Sequence, residues 1–419
     1  MTFSKNEHES ERTPPNLILV IADDLTGSAD TGIQFGNHGV RARVWLRRPS
    51  ATLEGVHIVD TNSRGSTPAT ARSRVRAWSR LTTPDARVYK KIDSTLRGNV
   101  GAEIEAALRG CRRRIAIVAP AFPDNRRTTV NGIQLVGGVP VHETTIANDP
   151  AHPMRAPTIA AALAEQTRLP ITRIDIASVR GGATSLANEV KGALSTSREP
   201  QICIVDAELN SDLALIAGAI ELLGSIVLPV GSAGLAHFLA KKWLHNDLID
   251  DQPLDIGRRV LLVSGSQNPT TLEQIRILST ELDIDPCDLF SHSPRFISAC
   301  LQENAVIAVS ANAPKEWSAN QIARTIGLRV RGIIRATRPD ALIVTGGDTA
   351  RGILDLLGAQ AIDLIAEVAS GVPHGRIVGG IADGLPIITK AGGFGQPDVF
   401  IRAFGYLRNG TASGEHLND

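Results

Sequence analysis

Two adjacent carboxylates, Asp23 and Asp24, follow the apolar run Leu17-Ile18-Leu19-Val20 and precede Leu25-Thr26-Gly27. An apolar run of this length reads as a buried strand. In open α/β sheets, ligands bind just beyond the carboxyl ends of such strands. Two acids there are costly to bury unless a metal ion, a cationic side chain or a substrate hydroxyl pairs with them. Two other strand ends carry related chemistry. Asp60-Thr61-Asn62-Ser63-Arg64 offers a guanidinium able to grip a carboxylate bidentately. Lys90-Lys91-Ile92-Asp93-Ser94-Thr95-Leu96-Arg97 crowds cations, an acid and hydroxyls into one strand end and helix start. Its plainer reading is a helix capped by Asp93 or Ser94, with Lys91 and Arg97 solvated. Parallel strands would bring all three ends to one edge, which suits a small polyol bearing a carboxylate.

The second half repeats a different theme. Ser264-Gly265-Ser266-Gln267-Asn268, Thr345-Gly346-Gly347-Asp348-Thr349 and Lys390-Ala391-Gly392-Gly393-Phe394-Gly395 each follow an apolar run. Glycine lets backbone approach a phosphate, and helix N-termini aim N–H donors at anions. One such loop is an ordinary tight turn, but three in succession favour a nucleotide site. The residues together point to phosphoryl transfer to a small polyol. There is no GxxxxGK[ST] and no GxGxxG after a strand, which sets aside a P-loop and a dinucleotide fold. An aspartyl-phosphate phosphatase would need a carboxylate where Ala22 stands.

The elements that must position these residues alternate. Candidate strands are Leu17–Ile21, Val56–Asp60, Arg87–Ile92, Ile115–Ala119, Ile202–Asp206, Ile226–Val230, Val260–Ser264, Ala305–Val309, Ala341–Thr345 and Pro386–Lys390. Helical periodicity between them, as in Gly101–Leu108 and Leu213–Leu223, predicts βαβ units. The fold class is α/β: two α/β domains with mainly parallel sheets and a ligand cleft between them. Residues 16–245 form the expected substrate domain and 258–408 the nucleotide domain, divided at the polar stretch 241–258; 1–15 and 409–419 are expected to be flexible tails. Residues 120–158, rich in Pro, Gly and Asn, read as a lid or binding loop with a short hairpin at 133–141.

A net charge of +1 and 4% aromatic residues leave neither a field nor stacking platforms for nucleic acid. The basic run Arg109, Arg112, Arg113, Arg114 reads as a solvated helix end. No apolar run approaches the roughly 18 residues of a membrane span, and the polar N-terminus shows no signal peptide. Four scattered cysteines without a CxxC pair fit a reducing, cytoplasmic setting. The histidines show no metal spacing; His142 and His152 read as solvent-facing or structural, and no metal ligand is assigned. Ser232-Ala233-Gly234 is a small-residue turn without an assigned role.

Taken together, these motifs resemble the four-carbon acid sugar kinases over nearly the whole chain, from about residue 17 to 406. The resemblance rests on IADDLTGSADTG at 21–32, DTNSRG at 60–65, KKIDSTLRGNVGAEI at 90–104, PAFPDNRRTTVNG at 120–132, GSAGLA at 231–236, VSGS at 263–266, TGGDTA at 345–350 and KAGGFG at 390–395. It implies ATP and Mg²⁺ as cofactors and phosphorylation of the terminal (4-) hydroxyl of D-threonate, D-erythronate or a 3-oxo-tetronate. The KIDSTLRGN segment looks more like the threonate and erythronate kinases. By the same resemblance, Asp24, Arg64, Lys91, Ile92, Asp93 and Ser94 would hold the acid. Ser264, Gly346, Gly347, Asp348, Thr349 and Gly392 would hold ATP. Asp24 or Asp93 would act as the base. At 125–128 the order Asn-Arg-Arg-Thr replaces the more usual Gly-Arg-Thr, leaving open whether Arg126 or Arg127 serves the loop. The expected partners are a four-carbon acid and ATP, with a homodimer left open. The rivals are a kinase for another small hydroxy acid and a non-catalytic sugar-acid and nucleotide sensor.

Overall fold

Strand β1 (Leu17–Ala22) is buried at every position, as a strand covered on both faces must be. Each such Leu, Ile or Val side chain removed from water stabilises the fold by about 1.5–3 kcal/mol. β1 lies between β3 (Gly55–Asp60) and β4 (Arg87–Lys91), parallel to both. The computed structural model describes residues 17–244 and 259–409, except 39, 50–52, 54, 150–152, 195–198, 304, 311 and 315. The expected tails, apart from Asn409 at the end of the helix Val399–Asn409, and most of the expected boundary stretch lie outside the described residues.

The remaining strands of the first half are β2 (Ala42–Trp45), β5 (Ile115–Ala119), β9 (Ile171–Ile174), β10 (Gln201–Val205) and β11 (Val227–Gly231). They build a parallel array in the order β2-β3-β1-β4-β11-β5-β10-β9. The second half supplies β12 (Val260–Ser264), β13 (Cys287–Asp288), β14 (Val306–Val309), β15 (Ala341–Thr345), β16 (Ala361–Ala369), β17 (Val372–Val378) and β18 (Pro386–Lys390). Their order is β13-β14-β12-β15-β18-β17-β16. Four of these neighbours are parallel pairs, while β16, β17 and β18 form an antiparallel meander. The meander was not expected from the sequence. β16 alternates acids with apolar residues, as in Asp363, Leu364, Glu367 and Val368, and so lacks the unbroken apolar run of its parallel neighbours.

The two arrays share one edge. β16 pairs antiparallel with β2, setting Asp363 opposite Arg43, and those side chains form an ion pair. The result is a continuous 15-stranded sheet with helices on its faces. Residues 120–148 are ordered as a second small sheet of β6 (Arg127–Val130), β7 (Ile133–Val136) and β8 (Val139–Pro140). Arg113 corrects the expected solvated helix end. It is buried and donates to the carbonyls of Pro84, Ala86 and Ser225, tying three turns together.

Asp30, in the helix Leu25–Gly36, is buried where that helix meets the β16–β17 turn. Burial pushes its carboxyl up to about 7, and nearby Lys91 offsets this only in part. A carboxyl raised in the fold contributes stability at low pH that is lost as pH rises through the folded value. Asp30→Asn is therefore expected to raise Tm over the unaltered chain. The gap should widen by about 2 kcal/mol, a few degrees, as pH rises from 5.5 to about 7, and then level off. Thermal unfolding between pH 5.5 and 8.5 checks this; a pH-independent gap would reject the assignment.

Candidate functional site

Register explains why distant motifs meet. Ala22 at the end of β1 is level with Asp60, and Ile21 is level with Lys90. The segments 23–24, 60–64 and 91–94 therefore leave the sheet side by side. On the other half, Ser264 is level with Thr345, and Thr345 with Lys390. That register sets the three glycine-bearing loops next to one another.

On the first half, Arg64 is the hub. Its Nε donates to Asp23 Oδ2 at 2.7 Å and its Nη1 to Asp24 Oδ2 at 2.9 Å. Nη2 donates to Asp23 Oδ1 at 3.1 Å and Asp24 Oδ1 at 2.8 Å. The adjacent acids are thus paired by a cation, one of the partners the sequence allowed. Four of the five guanidinium hydrogens are committed to them. Burial alone would raise the Asp23 carboxyl, but Arg64, Lys90 and Lys91 outweigh it and hold it below the usual range. Asp24 also caps the helix Leu25–Gly36, accepting from Gly27 N at 3.0 Å and from Thr26 Oγ1 at 2.8 Å.

Asp93 accepts from Arg97 through Nε at 2.9 Å and Nη2 at 3.0 Å, and from the Thr95 hydroxyl. Arg64 Nη2 lies 3.8 Å away. Burial opposes ionisation of Asp93, yet Arg97 and Arg64 prevail and hold its carboxyl well below the ordinary range. Arg97 is therefore engaged rather than solvated. Lys91 Nζ donates to the Ile92 carbonyl at 2.8 Å and lies over Gly27. The Ser94 carbonyl accepts from Gln134 of β7 at 2.8 Å, which seats the small sheet on this segment. Lys90 projects to the opposite face of β4 and pairs with Glu103 at 2.8 Å, both side chains fully enclosed. Glu103 also accepts from Ser63 at 2.7 Å, so this pair underpins the turn carrying Arg64. Breaking a buried pair strands a charge and typically costs about 3–5 kcal/mol. Lys90→Met is expected to lose that much, read as a lower urea midpoint. An unchanged midpoint would show that the pair is dispensable.

On the second half, Ser264 ends β12 in full burial. A Cβ at Gly265 would lie 2.0 Å from Thr349 Oγ1, and one at Gly392 would lie 2.6 Å from Ser266 Oγ. The three loops are therefore in contact. Gly346 caps the helix Gly347–Leu357 with φ 99°, a conformation L side chains rarely adopt. Asp348 and Thr349 lie in that helix's first turn, and a helix N-terminus is the end that suits an anion. Lys390 is enclosed and donates to the carbonyls of Ala391 at 2.9 Å and Phe394 at 3.0 Å, fixing the last loop from within.

The halves touch at these loops. A Cβ on Gly347 would lie 3.0 Å from Asp24 Oδ2 and 3.4 Å from Thr26 Oγ1. The Phe394 ring meets Phe122 edge-on at 6.4 Å, and the Arg127 guanidinium lies 5.0 Å from its centroid. Arg126 takes a left-handed backbone (φ 58°) and packs its guanidinium by Gly137. Of the two arginines, Arg127 faces the junction. Phe394 was not assigned a role from the sequence, the plainer reading left Arg97 solvated, and the choice between Arg126 and Arg127 was open. Their signal, a cation or ring on a loop, has no periodicity to reveal which loops will meet. Ser232 accepts from Gly234 N at 3.1 Å and donates to the Ala121 carbonyl at 2.7 Å, so its turn secures the 120–122 loop. His142 lies outside this cluster beside Glu143, and His152 lies outside the described residues. Among the described residues no three His, Cys, Asp or Glu gather as a metal cage, and no helix is long and apolar enough to cross a membrane.

Two family models match the chain. Residues 18–239 match the family described as sugar-binding N-terminal domain, and residues 261–400 the nucleotide-binding C-terminal domain. The chain is 35% identical to the D-threonate kinase of Salmonella typhimurium, over 93% of this chain and 98% of that protein. It is 29% identical to the D-erythronate kinase of Heliobacterium modesticaldum, over 93% and 97%. A 3-oxo-tetronate kinase of Methylobacterium radiotolerans is also 29% identical, over 91% and 97%. A crystal structure of a Haemophilus influenzae protein shares the fold with TM-score 0.69 at 22% identity, covering 93% of this chain and all of that one.

Proposed function

The chain belongs to the four-carbon acid sugar kinase family, and on that premise we propose that it transfers the γ-phosphoryl group of ATP to the terminal hydroxyl of D-threonate or D-erythronate. The observation that carries the reading is the contact of Asp24 with Gly347, where an acid-lined strand end meets a glycine-bearing helix N-terminus. In phosphoryl transfer the protein mainly positions groups and neutralises charge. The four-carbon acid lies against Asp24, Arg64 and Lys91–Ser94, with its carboxylate toward Lys91 and the remaining Arg64 hydrogen. ATP lies along Ser264, Gly346–Thr349 and Gly392. Asp24 orients the terminal hydroxyl and takes its proton as that oxygen bonds to Pγ. The bond from Pγ to the bridging oxygen breaks, and ADP leaves.

Asp24 suits this role better than Asp93 because it approaches Gly347 at the start of the helix Gly347–Leu357. Arg127, on Phe394, brings a further cation to the same junction. The donor set fits Mg²⁺ carried largely on ATP phosphates and water, with Asp348 as the carboxylate the nucleotide loop offers. The ion would neutralise charge on the transferring phosphates. Four free thiols support a cytoplasmic setting.

The substrate assignment is tested by ADP release with Mg-ATP across D-threonate, D-erythronate, their L-isomers and 3-oxo-tetronates. D-threonate or D-erythronate is expected to give the highest kcat/KM. A stronger 3-oxo-tetronate signal would transfer the assignment to that acid. Silence on every acid, with nucleotide still bound, would favour the sensor.

A further inference from the structure

Arg351 lies one turn into the helix Gly347–Leu357, whose first turn is the nucleotide loop. Its side chain leaves its own half of the molecule. Nη1 donates to Asp60 Oδ2 at 2.7 Å and Nη2 to the Leu46 carbonyl at 3.1 Å, while Nε donates to Asp355 of the same helix at 3.0 Å. Asp60 is completely enclosed. Its second oxygen accepts from Asn62 N at 2.7 Å. That bond begins the turn that delivers Arg64, and the turn is laid onto β1 by Thr61 N to Ala22 O at 3.0 Å and Ser63 N to Asp23 O at 2.9 Å. One carboxylate therefore holds the turn of the substrate-side arginine with one oxygen and the nucleotide helix with the other.

A buried ion pair is a weak source of net stability, and its better-attested use is to fix register between parts. We infer that the Arg351–Asp60 pair is a positioning device that couples the two ligand sites, so that nucleotide on the helix Gly347–Leu357 sets the Arg64 turn for the four-carbon acid, and the reverse. Neither residue touches the reacting atoms. The inference rests on the kinase reading and adds to it a linkage between its two substrates. Such linkage is reciprocal and commonly amounts to about 5–150-fold in affinity.

The test is calorimetric titration of D-threonate and D-erythronate into the full chain, with and without a saturating non-hydrolysable ATP analogue and Mg²⁺. The unaltered chain is expected to bind its acid at least about fivefold more tightly with the analogue present. In Arg351→Met and in Asp60→Asn that ratio is expected to fall toward one, with each ligand's affinity alone within about twofold of the unaltered value. Asp60→Asn keeps an oxygen for Asn62 N–H, so the turn survives while the ion pair is lost. Arg351→Lys is expected to restore part of the ratio. A merely structural pair would lower Tm or weaken both ligands alone without changing the ratio, and that result overturns the inference. So does a ratio of one in the unaltered chain, or full coupling retained in both variants. Failure of the unaltered chain to bind either ligand would overturn the kinase reading itself, and the inference with it.

Discussion

Asp24→Asn is expected to lower kcat with the four-carbon acid by about 10²–10⁴-fold, the usual cost of losing a general base. ADP should bind as it does to the unaltered chain. The substitution is nearly isosteric, and an amide oxygen can still accept from Gly27 N, which lies 3.0 Å from Asp24 Oδ1. The capacity to take a proton beside Gly347 is removed. So is one of the two charges that Arg64 balances. Steady-state ADP release and calorimetric titration of ADP measure the two effects separately. An unchanged kcat would remove Asp24 from the mechanism. Asp93→Asn separates the two candidate bases. On this account it acts mainly on the KM of the acid by freeing Arg97, whereas a kcat loss confined to Asp93→Asn would make Asp93 the base.

Gly347→Val is expected to reduce kcat/KM for ATP by at least about 10²-fold, the order of loss that a misplacement of about 1 Å produces. The first added carbon would lie 3.0 Å from Asp24 Oδ2. Asp24 has little freedom to retreat, since Arg64 holds both its oxygens and Gly27 N holds one. The start of the helix Gly347–Leu357 must move instead, and on the proposed reading the attacking oxygen and Pγ lose their alignment. The affinity of the four-carbon acid alone should stay within about twofold, because Arg64 and Gly27 N keep Asp24 in place. Varying each substrate at saturating concentrations of the other reads this out. A variant with unaltered kcat/KM for ATP would show that the Asp24–Gly347 approach has no part in the reaction.

The strands buried on both faces were legible, since nothing but a core accounts for Leu17–Ala22 or Ala341–Thr345. Their parallel arrangement then placed Asp24, Arg64 and Lys91 at one edge, and Ser264, Gly346 and Gly392 at another. Three things could not be read that way. β16 sets Asp363 and Glu367 among its apolar residues, and β17 is interrupted by Pro373, His374, Gly375 and Arg376, so both look like loop when unbroken runs are sought. The joining of both arrays through β2 and β16 depends on edge pairing between segments over three hundred residues apart, which local pattern does not encode. The destination of a charge is equally hidden. Arg64 as a free carboxylate grip, and Arg97 and Arg113 as solvated cations, were reasonable readings of isolated arginines. Packing gives Arg64 to Asp23 and Asp24, Arg97 to Asp93, and Arg113 to three carbonyls.

The central claim is transfer of the γ-phosphoryl group of ATP to the terminal oxygen of a four-carbon acid. Proton-coupled phosphorus NMR of the chain incubated with Mg-ATP and D-threonate, then with D-erythronate, tests it most directly. The account predicts that one of these acids gives a new phosphate monoester resonance split by the two protons of a terminal CH₂, growing in step with ADP. No ester with either acid, or an ester split by a single proton, would contradict it.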